Sequence, residues 1–124
     1  MAKAFLTMAE RKALAAAHLG KTVHIVIDRP IGYVHHKNIV YPINYGYIPG
    51  VLGGDGEEMD VYLLGVETPV KEFDAQIIAI VHRENDTEDK LVGAPVGLRF
   101  GKEEIAAAVH FQEQYYKSRI EMLA

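Results

Sequence analysis

"YPINYGYIPGVLGGDGEEMD", residues 41–60, places three tyrosines, two prolines and five glycines ahead of four acids crowded into six positions. A turn alone needs about one of those acids. Gly53, Gly54 and Gly56 let the backbone fold tightly and keep side-chain bulk away from anything bound there. Asp60 then opens a strand of the form Asp-Val-Tyr-Leu-Leu. Its alternation puts Val61 and Leu63 on one face and Asp60 and Tyr62 on the other. Acids converging at a strand end repel one another. A hard cation such as Mg²⁺ removes that repulsion, because it takes carboxylate oxygens and keeps several waters. The same residues also suit a solvated Asp-Gly hairpin turn.

A second acidic stretch bears on that choice. Glu84-Asn85-Asp86-Thr87-Glu88-Asp89-Lys90 again lies between strand-like segments and offers four acids with a lysine. Alone it reads as a charged, solvated loop. Together the two loops can supply a site of several carboxylates and several metals. Neither has the alternating ligands, central glycine and closing glutamate of an EF-hand.

Outward from these loops, the pattern predicts strands at Val23–Ile27, Val61–Leu64, Gln76–His82 and Lys90–Ala94, with Ile39–Ile48 rich in β-formers. Thr7 and Glu10 have capping-box spacing ahead of an alanine-rich helix over Met8–Leu19, which Gly20 stops. Lys102-Glu103-Glu104 opens a second helix, with Ile105, Val109, Gln112 and Tyr116 at helical spacing toward the end of the chain. Gly20-Lys21-Thr22 is not a phosphate loop, since it follows a helix and precedes a strand, the reverse of that motif's order. Short strands with a helix at each end predict a mainly β, α+β fold, a small and mostly antiparallel barrel or curled sheet. We read residues 1–124 as one domain, since no linker, repeat or low-complexity segment interrupts them.

Composition narrows the function. With 49% hydrophobic and 24% charged residues the chain is an ordinary globular one. Its net charge of −4 argues against a nucleic-acid surface. A phosphate-rich substrate would also be repelled unless bound cations reversed the sign locally. There is no cysteine, hence no disulfide or thiolate site, which suits a reducing compartment. Apolar runs such as Gln76–Val81 fall far short of the about 20 residues of a membrane span, and no signal-like leader opens the chain, so we expect a cytoplasmic protein without a membrane partner.

Here four ordered stretches become specific. Tyr41-Pro42-Ile43-Asn44-Tyr45-Gly46-Tyr47-Ile48, then Asp55-Gly56-Glu57-Glu58-Met59-Asp60-Val61, then Glu88-Asp89-Lys90-Leu91-Val92, then His110 to Lys117 together resemble the soluble family I inorganic pyrophosphatases. The resemblance runs over about Val23–Lys117. It implies an OB-like five-stranded barrel with flanking helices, shortened on its N-terminal side. It implies Mg²⁺-dependent hydrolysis of pyrophosphate to two phosphates by a metal-activated water, with Mn²⁺ a possible substitute, in a homo-oligomer. By the same resemblance Asp55 and Asp60 are metal ligands and Glu57 orients or deprotonates the attacking water. Tyr45 binds substrate or the water network. Asp86 and Asp89, or Glu88, hold further metals, and Lys90, Tyr116 and Lys117 meet phosphate. Two registers stay open: Glu88 against Asp89, and Tyr115 against Tyr116. Glu57 stands where the family has an aspartate. The strand pair that supplies further charged groups to the family's site is missing, and Asp28-Arg29 and His35-His36-Lys37 are the nearby candidates to replace it, so Arg29 and Lys37 join the expected phosphate contacts. His24, His82 and His110 are expected to pack or cap. The alternatives are a related phosphohydrolase acting on another diphosphate or short polyphosphate, or a catalytically weak module of this kind kept for binding or assembly.

Overall fold

The computed structural model describes residues 6–86 and 88–123. Helix α1 (Met8–Ala16) is followed by β1 (Thr22–Arg29), a small hairpin of β2 (Val34–His35) and β3 (Ile39–Val40), then β4 (Asn44–Leu52), β5 (Glu58–Leu63), β6 (Glu72–Arg83) and β7 (Lys90–Ala94). Helix α2 (Lys102–Glu113) and β8 (Ser118–Met122) complete it. Among the described residues no helix is long and apolar enough to cross a membrane.

Five strands close on themselves in the order β1-β4-β5-β7-β6, with β6 returning to β1. Closure removes most of the edge that an open sheet would expose, except along the part of β6 that runs beyond β1. All neighbours are antiparallel except β5 and β7, which run parallel. Strand alternation sorts the apolar residues into two sets. Ile25, Ile27, Val61, Leu63, Ile77 and Leu91 pack together as one core, joined by Ala15 of α1. Tyr41, Tyr45, Tyr62, Val81 and Val92 pack with Ile105 and Val109 of α2 as the other. The expected split of Val61 and Leu63 from Tyr62 holds. Asp60 and Lys90 share the parity of the residues facing α2, so the charged groups emerge on that side. Gly46 is obligatory where β4 crosses β1, because a Cβ there would lie 1.9 Å from the Val26 carbonyl oxygen.

The capping box at α1 is formed, with the Thr7 hydroxyl accepting from Glu10 N–H at 3.1 Å and Glu10 accepting from Thr7 N–H at 2.9 Å. The helix ends at Ala16, earlier than expected, and turns lead to Gly20 at φ +83°. The larger correction lies at the C-terminal end. The helix expected to continue past Tyr116 stops at Glu113, and Ser118–Met122 forms a strand on β6. The reason is backbone satisfaction. β1 pairs only with Glu72–Gln76 of β6, which would leave the edge of buried Ala79–Arg83 without partners. β8 supplies them, and Ile120 and Met122 pack against the second core.

Candidate functional site

Lys90, buried at the start of β7, gathers the site. Its Nζ donates to Asp60 Oδ2 at 2.6 Å, to the Tyr45 hydroxyl at 2.8 Å and to Glu88 Oε1. Burial lowers the Lys90 pKa below the ordinary lysine value, against the opposing pull of Asp60. Burial likewise raises the Tyr45 pKa far above the phenol range, with Asp60 adding to it, so this hydroxyl keeps its proton. Asp28 lies near enough to feel both charges: lost hydration and the Asp60 carboxylate raise its pKa, while Arg29 and Lys90 partly offset them.

Arg29 links this group to a wider cleft. Its Nη1 donates to the Tyr41 hydroxyl at 2.7 Å, and its guanidinium carbon sits 5.7 Å from the Tyr45 ring centroid. Tyr41 in turn donates to Gln112 Oε1 of α2 at 2.8 Å. Beyond them opens a cavity of about 360 Å³ whose lining includes Arg29, Lys37, His35, His36, Tyr115 and Tyr116. None of its described lining residues is acidic, on a chain of net charge −4.

The acidic turn is folded tightly on itself. Gly53 N–H donates to the Glu57 carbonyl at 2.8 Å, and Asp55 Oδ1 accepts from Glu57 N–H at 3.0 Å. Asp55, Asp60, Glu88 and Asp89 line one narrow crevice of about 10 Å³, roofed by Arg11. That is room for about one water. Arg11 comes from α1, and its presence explains Gly54, where a Cβ would lie 2.5 Å from Arg11 Cγ. The arginine donates to the carbonyls of Asp86 and, at 2.8 Å, of Arg83. Glu57 is exposed at the tip.

Neighbours in sequence, Glu88 and Asp89 have different surroundings. Glu88 joins Asp60 on Lys90. The Asp89 carboxylate is only 1% exposed, accepts from Arg83 N–H at 2.9 Å, lies 3.0 Å from His82 Nδ1, and has Arg11 and Lys12 at 3.6 and 3.8 Å. Burial would raise its pKa, but the His82 and Arg83 hydrogen bonds outweigh that and lower it. Of the two, Glu88 is thus the acid that joins the Lys90 cluster, and Asp89 is the one held by His82 and the Arg83 backbone. Asp86 is taken up by Arg83, whose Nη1 donates to its Oδ2 at 2.9 Å. Lys117 is held by its backbone, donating to Asn85 Oδ1 at 2.9 Å and accepting from Glu84 N–H at 2.8 Å, and does not line the cavity.

Sequence reading missed the buried group that supports Tyr116. Arg83 donates to Glu113 Oε2 at 2.6 Å through Nη2, and Tyr62 donates to the same oxygen at 2.5 Å. Ser118 Oγ donates to Glu113 Oε1 at 2.6 Å. The Arg83 guanidinium also stacks 3.6 Å from the Tyr116 ring centroid. These partners are 30 and 51 residues apart, so no local pattern could reveal them. Burial would raise the Glu113 pKa, but its hydrogen bonds from Arg83, Ser118 and Tyr62 outweigh that and lower it.

The described residues contain no group of three His, Asp or Glu side chains placed to hold a metal. Asp60 and Glu88 nevertheless converge on one cation, the Lys90 ammonium. Two hard carboxylates fit Mg²⁺, which is commonly held by one or two of them together with waters and substrate phosphates.

The family model described as inorganic pyrophosphatase matches residues 19–120. The chain belongs to the inorganic pyrophosphatase family. Among similar proteins, the inorganic pyrophosphatase of Saccharolobus solfataricus is 36% identical over 75 residues, covering 57% of this chain and 41% of that one. That of Aeropyrum pernix is 34% identical over 64 residues, covering 48% and 36%. The matched segment thus spans about two fifths of these relatives' length. The solved inorganic pyrophosphatase of Ehrlichia chaffeensis superposes with a TM-score of 0.66 at 17% identity, covering 85% of this chain and 88% of that one. That from Coxiella burnetii gives 0.61 at 18%, covering 84% and 86%. At such identities these matches speak for the family's barrel fold, which agrees with the closed five-stranded barrel described above.

Proposed function

We propose that this chain hydrolyses inorganic pyrophosphate to two phosphates with Mg²⁺. The observation carrying this reading is the cluster of Tyr45, Asp60, Glu88 and Lys90 opening through Arg29 onto a cavity lined by cations. Pyrophosphate's charge must be neutralised before a nucleophile approaches, and fixed cationic donors do this without reorganising. Arg29 and Lys37 take one phosphate, Lys90 the other, and the Tyr45 hydroxyl donates to the bridging region. Asp60 and Glu88, with Asp55 close by, would hold Mg²⁺, which when bound neutralises phosphate charge and makes water a better nucleophile. Glu57, exposed on the turn, accepts the water's proton. A cytoplasmic homo-oligomer belongs to the same reading, and exposed Val34 and Val40 on the small hairpin offer it apolar surface.

The test is phosphate release from pyrophosphate with Mg²⁺ and with excess EDTA. Release with Mg²⁺ and its loss with EDTA are expected. Equal rates in both conditions would end the metal-dependent reading.

The neighbouring acids provide a sharper check. Glu88→Gln should lower the rate by about tenfold or more while leaving the melting temperature near the parent's. Asp89→Asn should do the opposite, costing about 2 kcal/mol of stability through its lost charged hydrogen bonds. The reverse pattern would move the metal-facing role to Asp89.

A further inference from the structure

The cavity beside Arg29 is built for more than charge. At about 360 Å³ it falls in the range of about 300–1,000 Å³ found for small-molecule sites. Its walls combine the cations Arg29 and Lys37 with the rings of Tyr41, Tyr115 and Tyr116 and two imidazoles, His35 and His36, whose centroids are 3.8 Å apart. Tyr116 is pinned by the Arg83 guanidinium, so ordering it on binding costs little. Tyr115 is 63% exposed, a large ring open to solvent at the cavity wall. Bare pyrophosphate offers these rings nothing to stack against. A planar heteroaromatic group does, since every nucleobase has a π-face and Arg and Tyr are its usual platforms.

We propose that this cavity seats the base of a nucleoside 5′-diphosphate, which places such diphosphates beside pyrophosphate in the substrate class of the site. The proposal rests on the phosphoanhydride reading above. The ester phosphate lies against Arg29 and Lys37 and the terminal phosphate near Lys90, with Arg29 and Tyr45 joining the two regions. Water oxygen bonds to the terminal phosphorus and the bond to the bridging oxygen breaks. That oxygen leaves on the nucleoside monophosphate, and a proton passes to solvent.

Two measurements on the full chain test this. The first is binding of AMP, which carries the base and one phosphate but no anhydride, against inorganic phosphate. AMP should bind at least about tenfold more tightly than phosphate, and Tyr115→Ala should remove about tenfold of that affinity while Tyr115→Phe keeps it. The second is hydrolysis of ADP against pyrophosphate with Mg²⁺. Tyr115→Ala should lower kcat/KM for ADP about tenfold relative to that for pyrophosphate. AMP binding no tighter than phosphate, or insensitive to Tyr115→Ala, overturns the proposal even if pyrophosphate is hydrolysed. So does an equal fall of kcat/KM for both substrates. AMP binding that depends on Tyr115 without hydrolysis of either compound upholds the base seat and overturns the phosphoanhydride reading instead.

Discussion

Asp60→Asn should lower pyrophosphate hydrolysis at saturating Mg²⁺ by about a hundredfold or more, equivalent to roughly 2.7 kcal/mol of transition-state stabilisation. Asp60 lies two residues into β5, where pairing with Tyr47 of β4 holds its backbone on a rigid strand. Its carboxylate meets Lys90 at 2.6 Å, and it lines the crevice with Asp55 and Glu88. The amide keeps the shape but removes a charge from the proposed ligand pair and from the lysine's partners. Folding should survive, because the side chain is 27% exposed and Lys90 keeps Glu88. The measurement is initial rate together with a melting curve. Full activity in a folded variant would reduce Asp60 to an ordinary strand-end acid.

The largest stability effect should come from Glu113→Gln. Glu113 holds Arg83, Tyr62 and Ser118 at once, and the Arg83 side chain is only 2% exposed. Removing one partner of a buried ion pair costs about 3–5 kcal/mol, and the Asp86 carboxylate, 29% exposed, offsets only part of that for Arg83. That corresponds to a fall in melting temperature on the order of 10 °C. Glu103→Gln, exposed on the same helix, should change almost nothing. The linkage has a definite sign. Folding depresses the Glu113 pKa below its ordinary 4.5, so the folded state binds its proton less readily than the unfolded state. Its stability is present above that value and is lost as pH falls through the lower folded pKa. The parent should therefore lose stability on acidification more steeply than Glu113→Gln. Parallel acid profiles would mean that the pair does not hold the helix to the barrel.

Much of the fold was readable because its signals are local. The capping box at Thr7 and Glu10, the alternation through Val61 to Leu64 and the glycines before Asp60 each need only neighbouring residues to be understood. The C-terminal strand was not readable. Ile105, Val109 and Gln112 do follow helical spacing, but Tyr116 continued it by coincidence, and what ends the helix is the unpaired edge of β6 far away in the chain.

The candidate site divides the same way. Taken alone, the sequence picked out two acidic loops, Lys90 and a few cations on an acidic chain as groups suited to phosphate chemistry, and the family resemblance added Tyr45. Their residue types and spacing carry that much, because charge and donor chemistry belong to the side chain itself. Only the tertiary structure decided which of them meet. It turned Glu88 toward Lys90 and buried Asp89 against His82, brought Arg11 from α1 onto the acidic turn, and stacked Arg83 beneath Tyr116. Successive side chains at a strand's entry point to opposite sides, and a buried charge goes wherever barrel closure happens to bring its counter-charge.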